Sequence, residues 1–203
     1  MDAIILAAGE GARLKSWTID KPKGMITLGN GPILEHIVRG LASSGVQNIN
    51  MVVGYRKNIV MSYFGDGSHF GTKINYVIQN ELSGTLDALK LGLKDIANKF
   101  LVVPGDNYVS SASFIPLIRS ESPTLLAGKA DRWSKWGEIE FVNSRAQITF
   151  DSPEAFGRLH FTGIMKLDIE IANKLITAGG IHLGEAIQRI DQSINFHVIN
   201  SQY

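Results

Sequence analysis

The hydrophobic positions of this chain alternate between two kinds of spacing. "DAIILAA" is a continuous apolar run that ends in glycine, which is typical of a strand buried on both faces. "GPILEHIVRGLASSG" instead repeats its apolar residues every three or four positions, which predicts a helix with one buried face. Pro32 suits the first helical position, and Gly45 a C-terminal stop. The same alternation continues with strands at "NINMVVGY", "KINYVIQ" and "KFLVVPGDN", and helices at residues 56–64 and in "SGTLDALKLGLKDI".

This alternation predicts an α/β fold with a Rossmann-like, doubly wound, mostly parallel sheet. We expect its βαβ crossovers to be right-handed. After about residue 110 the pattern changes, because strand-like segments follow one another without long helices between them. The second half is therefore expected to hold a mixed or antiparallel β region. Its segments are the strands "TLLAGKA", "WGEIEFV", "QITF" and "LHFTGIMKL", the helices "DIEIANKLITAGG" and "HLGEAIQRI", and a last strand, "INFHVIN".

Composition narrows the class of protein further. A chain of 203 residues fits one domain, and a net charge of +1 gives no global reason to bind nucleic acid or an anionic membrane. Cysteine is absent, which excludes disulfides and cysteine nucleophiles. The first apolar run is too short for a secretory leader, and no run reaches membrane-spanning length. We therefore expect a cytoplasmic protein without membrane or nucleic-acid partners.

Three polar or glycine-rich segments follow strands of the predicted parallel sheet. They are the loop after the first strand, residues 79–84 after the third and Gly105-Asp106-Asn107 after the fourth. Ligands of open α/β sheets bind beyond the carboxyl ends of the strands, where these segments meet. The sequence thus predicts one site built from all three.

The first of these segments is suited to an anion. In "GEGARL" the glycines bring backbone N–H groups close to a ligand, but Leu14 stands where a dinucleotide fingerprint needs its third glycine. GxxxxGK[ST] is absent as well, which excludes a Walker-type loop. Arg13 and Lys23 are the cations expected to reach phosphate oxygens. Lys15 and Lys21 fit a solvated loop equally well.

The other two segments each allow a structural and a functional interpretation. Asp106 can hold Mg²⁺, or it can close the strand in an Asx turn. Thr85 or a neighbouring serine can cap the following helix. Gly84 also permits close approach of a flat ligand, and Gln79 offers a donor and an acceptor to a base edge.

In their order along the chain, these residues resemble the sugar-1-phosphate nucleotidyltransferase family of thymidylyl-, uridylyl- and guanylyltransferases. The family pattern "LAAGxGTRLxPxTxxxPKxxxxxxxxP" stands here as "LAAGEGARLKSWTIDKPKGMITLGNGP". The resemblance continues through "QNELSGTLDAL" and "LVVPGDNYVS", is specific over residues 1–110 and is weaker beyond. "KWGEIEFVNSRAQITFDSP" is similar to the family's sugar-binding segment. The resemblance as a whole implies one nucleotidyltransferase domain over residues 1–203. Residues 1–110 would bind the nucleotide, and residues 111–203 would bind the sugar phosphate.

The resemblance implies transfer of a nucleotidyl group from a nucleoside triphosphate to a sugar 1-phosphate, with Mg²⁺ as cofactor. Arg13 would stabilise the leaving pyrophosphate, Lys23 would lie beside the α-phosphate, and Asp106 would bind the metal. Gly137 and Asp151 would contact the sugar phosphate. The residues implied in nucleotide binding are Leu6, Ala8, Gly9, Gly11, Ala12, Gln79, Gly84 and Thr85.

Four departures from the family leave other functions open. Ala12 replaces a threonine, and Asp151-Ser152-Pro153 replaces "EKP" and its lysine. "HFTGIM" lacks the family's asparagine, and no residue of this sequence could be matched to the family's second metal-binding aspartate. The alternatives are a nucleotide-binding or regulatory paralogue with little catalysis, and a cytidylyltransferase for a small phosphorylated alcohol. A dinucleotide-binding oxidoreductase fits less well. The resemblance also leaves a homo-oligomer open.

Overall fold

The computed structural model describes residues 1–129, 137–142, 145–149, 159–190 and 194–200. The strands are β1 (Asp2–Ala7), β2 (Thr27–Leu28), β3 (Gly31–Pro32), β4 (Asn48–Val53), β5 (Lys73–Ile78), β6 (Phe100–Pro104), β7 (Thr124–Lys129), β8 (Glu138–Val142), β9 (Arg145–Thr149), β10 (Leu159–Leu167) and β11 (His197–Asn200). The helices are α1 (Ile33–Ser43), α2 (Lys57–Phe64), α3 (Thr85–Gly92), α4 (Phe114–Arg119), α5 (Ile169–Ala178) and α6 (Leu183–Ile190). Short 3₁₀ turns include Ala12–Trp17 and Lys23–Met25.

The first half of the chain forms the parallel part of the sheet. β1 is central, with β4 and β6 as parallel neighbours, and β5 lies parallel to β4 on the outer side. Ala3, Ile4 and Ile5 have no exposed surface, as expected for a strand covered on both faces. The prediction of a parallel α/β sheet is confirmed.

The second half completes the sheet with mixed pairing. β10 lies between β6 and β7 and runs antiparallel to both, while β11 lies parallel to β7 at the edge. β8 and β9 form an antiparallel pair that joins β10 through a single pairing of Glu138 with His160. The prediction of a mixed β region after residue 110 is therefore confirmed.

Hydrophobic helix faces cover both sides of the sheet, which gives two cores. Ile4 belongs to the core that packs against α3, α5 and α6. The next residue, Ile5, points to the opposite core, which holds the buried faces of α1, α2 and α4. Alternate residues of one buried strand thus serve the two layers of a doubly wound fold.

The structure differs from the predicted elements in three places. Pro32 is the N-cap of α1 and pairs with Thr27 in the small hairpin of β2 and β3, so it is not the first helical residue. α3 stops at Gly92, and Asp95, which lies within the predicted helix, has a φ of 60° in the left-handed region. α4 was not predicted, because its six residues, "FIPLIR", are too few for a clear 3.6-residue period.

None of the helices in the described ranges has the length and hydropathy that a membrane crossing requires. The longest, α1, has 11 residues. The division of the chain into two functional halves near residue 110 stays a prediction.

Candidate functional site

The loops that follow β1, β5 and β6 meet at one edge of the sheet, as the sequence predicted, and the loop after β4 joins them there. Backbone hydrogen bonds join them directly, because Gly105 N–H donates to the Leu6 carbonyl at 2.9 Å and Tyr55 N–H donates to the Ala8 carbonyl at 3.0 Å. At Gly54 a Cβ would stand 2.9 Å from the carbonyl oxygens of both Ala8 and Gln79. The bases of the loops are therefore fixed to one another by main chain.

The glycine-rich loop turns sharply at Gly11. This residue has a φ of 72° and precedes the 3₁₀ turn that begins at Ala12. The Gly11 carbonyl accepts from the Leu14 N–H at 2.9 Å and from the buried Thr18 hydroxyl at 3.2 Å. Beyond the turn, the loop is open to solvent. Gly9, Ala12 and Arg13 are exposed, and the Arg13 guanidinium has no ion-pair partner in the described part of the chain.

The centre of the rim is an ion pair between Lys23 and Asp106. Lys23 Nζ lies 2.7 Å from Asp106 Oδ2, and each side chain keeps about a third of its surface exposed, 32% and 31%. The two segments touch through backbone beside the pair, since a Cβ on Gly24 would stand 2.4 Å from the Gly105 carbonyl oxygen. A cation and a carboxylate 83 positions apart are thus held side by side and open to a ligand.

Gln79 lies in the segment that follows β5 and is almost completely buried, with 4% of its surface exposed. Its Nε2 donates to Asp87 Oδ2 at 2.9 Å and to the Gly84 carbonyl at 3.1 Å. The Ser83 hydroxyl donates to the same Asp87 oxygen at 2.7 Å. Hydrogen bonds from Ser83 and then Gln79 hold the pKa of the Asp87 carboxyl below its usual value, so the group is ionised at neutral pH.

The start of α3 is tied to the second half of the chain. Gly84 has a φ of 103°, and a Cβ there would stand 2.2 Å from the Ile181 carbonyl oxygen. That carbonyl accepts from Leu86 N–H at 3.2 Å, and the Thr85 hydroxyl accepts from Leu183 N–H at 2.9 Å. The close approach expected at Gly84 is thus made by the protein's own backbone, and the Thr85 hydroxyl joins α3 to the start of α6.

Another contact between the halves lies next to Asp106. The Asn107 side-chain amide donates to the Thr162 carbonyl, and the Thr162 hydroxyl donates to the Leu126 carbonyl at 2.7 Å. Gly163 follows with a φ of 81°, where a Cβ would stand 2.7 Å from Pro104 Cγ. The pairing of β10 with β7 shifts register at this point. "HFTGIM" therefore lies beside the metal-binding candidate.

The residues predicted to contact the sugar phosphate lie in the less completely described region. Gly137 is buried, and its carbonyl accepts from Phe161 N–H at 2.8 Å, which places it beside the start of β10. Asp151 lies outside the described residues. Sequence reasoning missed Glu138 and His160, which are buried polar residues facing each other across β8 and β10. Neither side chain is without interactions, and only a cross-strand register that the sequence does not give would have revealed them together.

The chemistry of the donor set can be tested against Mg²⁺. The described residues contain no group of three or more histidine and carboxylate side chains that would form an all-protein metal cage. Asp106 is the carboxylate at the rim, and it is partly exposed beside an open loop. Mg²⁺ is commonly held by one or two carboxylates together with substrate phosphates and water, so this donor set fits the ion.

Comparison with known proteins shows the family. The nucleotidyl transferase family model matches residues 2–149. The chain belongs to the nucleotidyl transferase family. Curated relatives include a UTP–glucose-1-phosphate uridylyltransferase from Haloferax volcanii, 39% identical over 53% of this chain and 44% of that one. Another is the D-glycero-alpha-D-manno-heptose 1-phosphate guanylyltransferase of Campylobacter jejuni, 34% identical over 74% of this chain and 68% of that one.

Longer relatives and a solved structure extend the comparison. A bifunctional GlmU protein of Methanococcus aeolicus is 38% identical over 96% of this chain and 48% of its own length. The chain spans about half the length of the uridylyltransferase and of the GlmU proteins from Methanococcus species. A Bacillus anthracis crystal structure assigned as a glucose-1-phosphate thymidylyltransferase, in complex with sucrose, superposes with a TM-score of 0.88 over 100% of this chain and 87% of that one. At 21% identity this likeness establishes the fold.

Proposed function

We propose that the protein transfers a nucleotidyl group from a nucleoside triphosphate to a sugar 1-phosphate in a Mg²⁺-dependent reaction. The observation that carries the proposal is the contact of Lys23 with Asp106 at 2.7 Å, beside the exposed glycine-rich loop, where Arg13 has no ion-pair partner among the described residues. A cation, a metal-competent carboxylate and a phosphate-binding turn are the groups that this reaction needs. The family supports the same assignment.

In this reaction a phosphate oxygen of the sugar 1-phosphate attacks the α-phosphorus of the triphosphate. The α–β bridging bond breaks, and pyrophosphate leaves with the bonding electron pair. Lys23 holds the two phosphate groups that react close together and offsets their mutual repulsion, which is the main demand of such transfers. Arg13 presents a planar guanidinium to the β- and γ-phosphates and stabilises the leaving group. No side chain has to move a proton.

Asp106 is the residue that would hold Mg²⁺, and the ion when bound spreads the charge that develops on the phosphates. Lys23 must give up part of its contact with Asp106 as phosphates arrive, because both groups then gain new partners of opposite charge. Gly9 and Gly11 lie on the loop that offers backbone N–H groups to the triphosphate. Ala12, at the start of the exposed turn, offers only its backbone there.

The names of the relatives guide the choice of substrates. The uridylyltransferase from Haloferax volcanii and the guanylyltransferase from Campylobacter jejuni use bases in which a ring N–H stands beside a carbonyl, and both act on sugar 1-phosphates. We therefore place Gln79 at the base and the Gly137 region at the sugar. The departure at Asp151-Ser152-Pro153 removes a family lysine from the sugar side, so a panel of acceptors is needed in the test.

The test is pyrophosphate release from each of UTP, dTTP, GTP, ATP and CTP, with a panel of sugar 1-phosphates and Mg²⁺. The panel includes glucose, glucosamine, N-acetylglucosamine, mannose and heptose 1-phosphates, and phosphocholine with CTP as a further arm. Release that depends on one sugar 1-phosphate supports the proposal. Nucleotide binding without release under every pairing would replace it with a nucleotide-binding role, and release with phosphocholine alone would replace the acceptor.

A further inference from the structure

The side-chain amide of Gln79 is held in one orientation by its neighbours. Both hydrogens of Nε2 are used, one by Asp87 Oδ2 at 2.9 Å and the other by the Gly84 carbonyl at 3.1 Å. An ionised carboxylate and a backbone carbonyl are acceptors only, so neither can pair with the amide oxygen instead. The orientation of this glutamine therefore follows from its partners' chemistry.

Ser83 reinforces this arrangement. Its hydroxyl donates to the same Asp87 oxygen at 2.7 Å, so one carboxylate oxygen receives two hydrogen bonds from the segment that leads into α3. These bonds lower the pKa of the Asp87 carboxyl, which keeps it an acceptor across the neutral range. Asp87 lies in the first turn of α3, where the helix dipole also favours a negative charge.

The other arm of the amide has no protein partner. Gln79 is 4% exposed, yet its Oε1 accepts no hydrogen bond from the described residues. Nearly all buried polar atoms in folded proteins are paired, and leaving one without a partner is costly. A ligand that donates a hydrogen bond to this oxygen would remove that cost.

We propose that Asp87, braced by Ser83, is a positioning residue for base selection: it fixes the Gln79 amide so that its oxygen faces the nucleotide and accepts from a ring N–H. Uracil, thymine and guanine offer a ring N–H. The corresponding ring nitrogen of cytosine and adenine is itself an acceptor, which would face another acceptor in this site. This inference rests on the proposed function for the presence of a nucleotide, and it adds how the base is chosen.

The test measures equilibrium dissociation constants of UTP, dTTP, GTP, CTP and ATP with Mg²⁺ for the wild-type protein and for Asp87→Asn. The wild type should bind the best of UTP, dTTP and GTP at least about tenfold more tightly than CTP or ATP, because mispaired polar groups in a built site are rejected strongly. In Asp87→Asn the new amide can donate to Gln79 Oε1, so the glutamine can turn over. The selectivity ratio should then fall towards one, with binding of CTP improved or unchanged.

Two further variants separate positioning from a structural role. Ser83→Ala keeps the carboxylate and removes one bond to it, so it should lower the ratio less than Asp87→Asn. Glu81→Gln removes one negative charge from the same segment. The Glu81 side chain is exposed and makes no hydrogen bond in the described ranges, so this variant should leave the ratio unchanged. Thermal unfolding of each variant shows that it is folded. A purely structural Asp87 would weaken all five nucleotides equally.

The inference is overturned if the ratio survives in folded Asp87→Asn, if the wild type prefers CTP or ATP, or if the wild type binds no nucleotide. It does not depend on turnover. Selective binding of UTP, dTTP or GTP that Asp87→Asn abolishes would support it even if no sugar 1-phosphate released pyrophosphate, in which case the transfer reaction alone would fail.

Discussion

The two halves of the chain build the same rim in different ways. In the first half, parallel strands end side by side and their loops touch through main-chain contacts, such as Gly105 N–H with the Leu6 carbonyl. In the second half, β10 enters antiparallel between β6 and β7, and its Thr162 carbonyl accepts a hydrogen bond from the Asn107 side chain beside Asp106. Main-chain contacts therefore fix the residues that we propose to react in the first half, while the proposed acceptor side in the second half could vary without moving them.

Removing the Lys23 ammonium should give the largest effect. We expect Lys23→Ala to lower the rate of pyrophosphate release by about 1000-fold, because one fixed charge at the reaction centre is lost. The pair with Asp106 is partly exposed, so the free energy of unfolding should change by less than about 1 kcal/mol. A pyrophosphate-release assay measures the rate, and denaturant unfolding measures the free energy of unfolding.

The matched control is Lys21→Ala, a lysine two positions earlier with no ion pair in the described part of the chain. It should keep most of the activity. A Lys23→Ala protein as active as Lys21→Ala would contradict the role given to Lys23 and, with it, the view that the first half holds the reacting groups.

A methyl group at Gly24 should have the next largest effect, since it tests the main-chain contact rather than the charge. The Cβ of Gly24→Ala would stand 2.4 Å from the Gly105 carbonyl oxygen, so the segment carrying Lys23 must move away from Asp106. Overpacking of this kind costs about 1–3 kcal/mol of stability. A displacement of about 1 Å at the reaction centre can lower the rate up to about 100-fold.

Gly9→Ala is the control for stability, because a Cβ there meets nothing within 4 Å and its φ is not positive. Its free energy of unfolding should be unchanged or slightly higher. Equal stability of Gly24→Ala and Gly9→Ala would show that the rim loops can part without cost, and that main chain does not fix them.

Asn107→Ala should have a smaller effect, because it breaks the contact between the halves. The Thr162 carbonyl would lose its side-chain donor next to Pro104, and about 1 kcal/mol of stability should be lost. We expect KM for the sugar 1-phosphate to rise more than KM for the triphosphate, since β10 belongs to the half that we propose binds the acceptor. Equal changes in both constants would place Asn107 with the nucleotide instead.

The sequence alone was sufficient to predict the parallel half of the sheet, but it did not predict the contacts between the two halves of the chain. Lys23 and Asp106 each follow a strand of a predicted parallel sheet, so their meeting at one rim follows from topology. Thr85 with Leu183 and Asn107 with Thr162 join positions 98 and 55 apart, through a strand order that local spacing does not encode. Asp87 was overlooked because an aspartate in a first helical turn needs no further explanation at the level of sequence.

A change at Tyr76 should have the smallest effect on the site, because this residue stabilises the parallel half of the sheet away from the rim. It is therefore a control for changes in stability that do not alter nucleotide binding. It lies on β5, its hydroxyl donates to the Gly65 carbonyl at 2.7 Å, and burial raises the pKa of Tyr76 to about 12 from 10.0. The folded state therefore keeps the proton while the unfolded chain releases it. The stability from this group is complete below pH 10 and is lost as the pH rises through about 12.

Tyr76→Phe should cost about 1 kcal/mol near neutral pH and should flatten the fall in stability above pH 10. Denaturant unfolding at pH 8, 10 and 11 measures both, and nucleotide affinity should not change. If the variant altered the selectivity among nucleotides, the geometry of the rim would depend on the interior of the strands as well as on contacts between the loops. Main-chain contacts between the loops would then not be sufficient to fix the first half of the site.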